Sequence, residues 1–187
     1  MAENLKTSKY NDGTSIPNIK DSLEWIKLTT GAWCYYNNDQ KNNSKYGKLY
    51  NWYAGSPTTN GNKNVCPTGW HVPSDTEWTI LTDFLGGNSL NMQLVLDKAV
   101  NKMKELGVVN WNKINNEVTN ASIFTALPGG QRSSFNGVKF GGAWWSSSSD
   151  NHKGGKCRII YEFENHINLR VYQDTISAGL SIRCIKD

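Results

Sequence analysis

A chain of 187 residues and 21.0 kDa is long enough to bury a substantial core as one domain. Its 20 Lys+Arg against 16 Asp+Glu leave a net charge of +4, scattered along the sequence, so no basic footprint for nucleic acid is visible. A mean hydropathy of −0.59 without a long apolar run excludes a membrane-spanning helix, while eight Trp and 23 Asn describe a loop-rich domain plugged by large rings, a composition common in secreted binding modules.

Residues 1–31 read as short strands broken by turns, with Asn11-Asp12-Gly13 the strongest turn signal. The polar run 37–44 reads as loop. The stretch 46–54 then returns Tyr46, Tyr50, Trp52 and Tyr53, expected to be buried. After a second polar loop at 55–64, Ser74 and Glu77 have the spacing of a capping box, in which each side chain satisfies an orphan amide at a helix start. Trp78, Leu81 and Leu85 follow on one helical face and Gly86-Gly87 stops the run, which predicts a helix from about 75 to 85. A shorter second helix is expected between Leu90 and Lys98. Beyond Gly107 the signals are those of strand, turn and loop; Gly129-Gly130 and Gly141-Gly142 read as tight turns or bulges, and Ser146–Ser149 as a turn.

The segment 158–172 alternates with period two on both sides of a polar break at Glu164–His166, which predicts a half-buried hairpin. Its odd positions, including Ile159, Tyr161, Leu169 and Val171, are expected to face the core. Its even positions place Arg158, Glu162, His166, Asn168, Arg170 and Tyr172 outward, joined by Asp150, Asn151 and His152 of the preceding loop. These nine residues form the predicted ligand-binding surface, since they mix charged, amide and aromatic groups suited to recognition.

No catalytic pattern stands out. His71 lies between Trp70 and Val72 before the predicted helix and reads as structural, and no Gly-x-Ser-x-Gly motif is present. The four cysteines, Cys34, Cys66, Cys157 and Cys184, include no CxxC pair, so zinc is not expected, nor is any cofactor. An oxidised pair in an exported protein fits better, with three connectivities open for four cysteines. No linker, charge block or repeat divides the chain, so residues 1–187 are expected to form one domain.

Several ordered motifs carry a resemblance. Met1-Ala-Glu-Asn-Leu-Lys, Tyr10-Asn-Asp-Gly, Tyr36-Asn-Asn-Asp, Tyr46-Gly-Lys-Leu-Tyr-Asn-Trp-Tyr-Ala and Cys66-Pro-Thr-Gly-Trp-His-Val-Pro-Ser-Asp appear in that order. Ala126-Leu-Pro-Gly-Gly, Gly142-Ala-Trp-Trp-Ser-Ser-Ser and Ser181-Ile-Arg-Cys-Ile-Lys-Asp complete the set. Together they resemble the Fibrobacter succinogenes major paralogous domain over almost the whole chain. The resemblance implies an α+β, C-type-lectin-like fold with one or two helices, short, mostly antiparallel strands and long ordered loops, related to the scaffold of formylglycine-generating enzymes.

The same resemblance implies a bacterial protein at the cell surface or outside the cell. In relatives the Met-Ala-Glu-Asn-Leu motif follows upstream sequence, so an export segment is expected to have been trimmed from this start. It also implies a disulfide between Cys66 and Cys184, because the first helix and last strand meet in such folds. The expected function is non-catalytic binding of a protein or glycan, with the terminal hairpin diversified as in the variable proteins of diversity-generating retroelements. Calcium-dependent sugar binding is not carried over, since the Glu-Pro-Asn and Trp-Asn-Asp signatures are missing. The rival readings are a structural surface or adhesin module without a defined pocket, and a formylglycine-generating-type enzyme with two close cysteines in a cleft.

Overall fold

A computed structural model describes residues 1–87, 89–107, 110–111, 116–132, 136–138, 141–150, 154–163, 166–174 and 177–187; within the strands, 136–138, 150, 162–163 and 166–174 are described by backbone alone. The fold is α+β. In chain order its elements are α1 (Ser22–Trp25), β1 (Trp33–Cys34), a 3-10 turn at Tyr36–Asn38, α2 (Asn42–Tyr46), β2 (Leu49–Tyr50), α3 (Trp52–Gly55), β3 (Trp70–His71), α4 (Asp75–Gly86) and α5 (Met92–Met103). The strands β4 (Gly129–Gln131), β5 (Asn136–Val138), β6 (Gly141–Asp150), β7 (Gly154–Phe163), β8 (His166–Asp174) and β9 (Ile185–Lys186) follow. Among the described residues, no helix is long and apolar enough to cross a membrane.

The N-terminal third differs from the expected strands. Residues 1–31 contribute only isolated bridges such as Lys9–Ser15, around the turn at Gly13, and one short helix capped by Asp21. The run 37–44 is not all loop either: the Asp39 carboxylate accepts the Lys41 amide at 3.0 Å and turns the chain into α2.

The helix α4 starts where the capping box placed it. The Glu77 amide donates to Ser74 Oγ at 3.2 Å, and the Ser74 amide donates to Glu77 Oε2 at 2.8 Å. The two glycines at its end do different work. A Cβ on Gly86 would stand 2.2 Å from the Val95 carbonyl, so Gly86 lets α5 approach, while Gly87 adopts φ +75° to leave the helix. The helix α5 runs one turn past the expected end because Val95, Ala99, Val100 and Met103 keep one buried face through the polar Lys98, Asn101 and Lys102.

A five-stranded sheet, in the order β5-β4-β6-β7-β8, carries the C-terminal half. Neighbours are antiparallel except β4 and β6, whose parallel contact joins Gly130 to Gly142. Both glycine pairs are thus strand positions, not turns; a Cβ on Gly142 would lie 2.4 Å from the Leu127 carbonyl. The serine run also lies in β6, where a bulge between Trp145 and Ser149 interrupts the pairing with β7. That bulge stitches sheet to helix: the Ser147 amide donates to the Pro73 carbonyl at 2.8 Å, and Ser148 Oγ accepts the first amide of α4 at 3.0 Å.

The sheet is buried on both faces at its centre. Trp145, Cys157 and the half-buried Ile159 join a cluster with Tyr50, Trp52 and Leu180, and Trp144 and Ile160 join another with Trp78, Ala99 and Met103. Burying so many indoles requires partners for their N–H groups. Trp144 donates to Asn4 Oδ1 at 2.9 Å, Trp145 to the Tyr50 carbonyl at 2.7 Å and Trp52 to the Ser146 carbonyl at 3.2 Å.

Candidate functional site

The hairpin β7–β8 exists, but its faces are not those expected. The pairing sets Arg158 opposite Val171, Ile160 opposite Leu169 and Cys157 opposite Tyr172. Opposed residues share a face of an antiparallel sheet, so even positions of β7 belong with odd positions of β8. Arg158 and Glu162 therefore do not share a face with His166, Asn168, Arg170 and Tyr172. Asp150, Glu162, His166, Asn168, Arg170 and Tyr172 are placed by backbone alone, and Asn151 and His152 lie outside the described residues.

Arg158 is a clear correction, since its side chain is 2% exposed. It reaches Asp75 at the first turn of α4: Nη1 donates to Asp75 Oδ1, and Nη2 to the Asp75 carbonyl at 3.0 Å and to Thr79 Oγ1 at 3.1 Å. Lys156 adds a contact to Asp75 Oδ2 at 3.1 Å. Against a burial that raises it, these two cations hold the Asp75 carboxyl below its ordinary range. Arg158 thus fastens helix to sheet. Arg158→Ala is expected to destabilise the fold by about 3 kcal/mol, the low end for breaking a buried pair because Asp75 keeps Lys156 and some solvent; urea unfolding of parent and variant checks this, and an unchanged midpoint would return Arg158 to the ligand surface.

A cavity of about 440 Å³ opens where α4, the 120–125 loop and the C-terminal segment meet. Its walls are mostly apolar: Trp70 from β3, Trp78 and Leu81 from α4, Phe124 from the loop and Ile185 from β9. Trp78 and Trp144 each meet Phe124 edge to face, at 5.9 and 5.6 Å between ring centres. Cys184 lies in the wall, joined to Cys66 with 5.9 Å between their Cα atoms, as the resemblance implied. Cys34 and Cys157 stay outside that bridge, buried in separate clusters; burial pushes the Cys34 thiol up to about 11.

The loop that presents Phe124 is held in an unusual backbone. Asn120, Ile123 and Thr125 have φ of 49°, 56° and 52°, a region that disfavours β-branched residues. Surrounding bonds enforce it: Asn120 Oδ1 accepts the Thr125 amide at 2.9 Å, and Ser122 Oγ donates to the Lys102 carbonyl at 2.7 Å. Strain maintained in this way clusters at functional sites.

Arg183 completes the wall. It is 2% exposed, its Cζ stands 3.9 Å from the centre of the Phe124 ring, and its Nε donates to Asn4 Oδ1 at 2.8 Å. Nη1 donates to the Phe124 carbonyl and Nη2 to the Thr125 carbonyl at 3.0 Å. All three acceptors are neutral, and burial pushes the guanidinium down to about 9. In the sequence Arg183 stands only inside the ending Ser181-Ile-Arg-Cys-Ile-Lys-Asp. A charged residue between Ile182 and Cys184, two positions with core character, was its only signal.

Behind Glu77 of the cavity wall, His71 forms an electrostatic clamp. Its Nδ1 lies 2.6 Å from Asp187 Oδ1 and its Nε2 2.8 Å from Glu77 Oε1. Hydrogen bonding to Asp187, and then to Glu77, raises its pKa above the ordinary 6.5. A raised folded-state value stabilises most below the unfolded value and is lost as pH rises through the folded one. Thermal melts between about pH 6 and 9 are expected to show a modest loss of stability with rising pH that His71→Gln flattens. An identical pH slope in the variant would refute the clamp.

These features define a disulfide-closed α+β domain with an aromatic cavity and a buried guanidinium in its wall. The family model of the Fibrobacter succinogenes major domain matches residues 1–186, and the chain belongs to that family. No curated protein and no solved structure matches it.

Proposed function

We propose that this domain is a non-catalytic ligand-binding module displayed outside a bacterial cell or phage, and that the cavity walled by Trp70, Trp78 and Phe124 receives part of its protein or glycan ligand. The cavity carries this reading. Its volume of about 440 Å³ lies in the range of small-molecule and side-chain pockets, and rigid aromatic walls with few polar groups are the usual make-up of such sites. The strained loop presenting Phe124 and the bridge at Cys184 keep those walls in place. A disulfide of this kind persists in oxidising surroundings, which supports a location outside the cytoplasm. The C-type-lectin-like scaffold implied by the resemblance belongs to the same proposal.

Ligand-observed NMR with a mixture of small aromatic fragments tests the cavity. Saturation transfer is expected to the parent protein and to be lost in Leu81→Trp, which fills the cavity from α4. No bound fragment at millimolar concentration would overturn the reading. A second recognition surface on β8, the edge strand of the sheet, fits a diversified hairpin. Its test is the gene neighbourhood, where a reverse transcriptase beside a near-copy of the segment encoding 144–184 is expected.

A further inference from the structure

The buried guanidinium in the cavity wall has no counter-ion in direct contact among the described residues. A guanidinium carries five N–H donors, and Arg183 uses three of them on the Asn4 amide oxygen and the carbonyls of Phe124 and Thr125. Among the described residues no carboxylate lies within ion-pair distance of it. Burying a cation without an anion is costly, and buried Arg is ordinarily paired. The other lining charges deepen the imbalance. Lys186 is a second cation, and Glu77, the one carboxylate among the described lining residues, is already held by His71 and by the Ser74 amide and hydroxyl. The cavity is therefore apolar and aromatic over most of its wall, with positive charge at Arg183 that only the exposed Glu3, already bridged to Lys6, answers through space.

We propose that the cavity binds an aromatic carboxylate, with the ring among Trp70, Trp78 and Phe124 and the carboxylate on the remaining N–H groups of Arg183. A planar ring matches edge-to-face walls, and a carboxylate matches the fork of a guanidinium better than any neutral group. This deepens the cavity-binding reading and rests on it. The same chemistry occurs in a free aromatic acid and at the end of a peptide closing on an aromatic residue.

Calorimetry with matched probes separates the cases: 3-indolepropionate against its primary amide, and the peptide acetyl-Gly-Ser-Gly-Trp as free acid against the same peptide amidated. In the unaltered protein at least one acid is expected to bind tenfold or more tighter than its amide, and the arm that does so identifies the source. Arg183→Lys is expected to erase most of that preference, and Leu81→Trp to abolish binding of acid and amide alike. Equal affinity for acid and amide would overturn the carboxylate assignment while leaving the cavity reading intact. No binding of any probe would overturn the assignment, and with an empty fragment screen the cavity reading too. Acid binding that survives in a folded Leu81→Trp protein would place the ligand elsewhere and overturn it as well.

Discussion

Replacing Cys66 and Cys184 together by Ser is expected to lower the free energy of unfolding by about 4–5 kcal/mol, the loop-closure entropy of a crosslink spanning this much chain. The bridge joins residues 118 apart, so the unfolded chain loses much more freedom to it than to a local crosslink. Both cysteines are buried beside Val65, Val72 and Ile182, and two hydroxyls there would add an unfavourable packing contribution. Urea denaturation of the oxidised parent and the double variant measures the difference. A loss under about 1 kcal/mol would mean that the core alone holds β3 and the C-terminal segment together.

Trp78→Ala is expected to cost about 3–5 kcal/mol and to lower the melting temperature by about 6–20 °C. Trp78 is 2% exposed, packs with Leu85, Val100, Met103 and Trp144, and donates its indole N–H to the Trp145 carbonyl at 3.4 Å. Removing it merges the cavity with a new void under α4 and leaves Phe124 without one of its two ring neighbours. A variant melting within a degree or two of the parent would mean that α4 does not present this face to the sheet. Trp78→Phe restores a ring but not the N–H donor, and is expected to fall between the two.

The parts legible in the sequence were those whose determinants lie close together along the chain. The start of α4 is written in Ser74 and Glu77, three residues apart, and its buried face in Trp78 and Leu85. The hairpin follows from period-two alternation within 158–172. Local sequence misleads where a distant partner decides the outcome. Arg158 lies in the run Cys157-Arg158-Ile159-Ile160, and its burial depends on acceptors at the start of α4, Asp75, 83 residues away, and Thr79. With Ile159 and Ile160 adjacent, local pattern could not say which isoleucine faces the helices. The exchange of parity between β7 and β8 depends on Phe163 pairing with His166, a matter of turn length and not of composition. The cavity was least legible, because its walls come from β3, α4, the 120–125 loop and the C-terminal segment, and no two of those are neighbours in sequence apart from β3 and α4.

The bonds that tie the beginning of the chain to its end have a kinetic consequence. Asn4 contacts Ser181 and Arg183, and the Leu5 amide donates to the Ile182 carbonyl at 2.8 Å. These contacts span 177 to 179 residues, nearly the full length of the domain. During synthesis Asn4 and Leu5 can bond early to Tyr46 and Lys48, but their contacts with 181–183 must wait until the end of the domain leaves the ribosome. Folding dominated by such distant pairings belongs to the slow range, from about milliseconds to seconds.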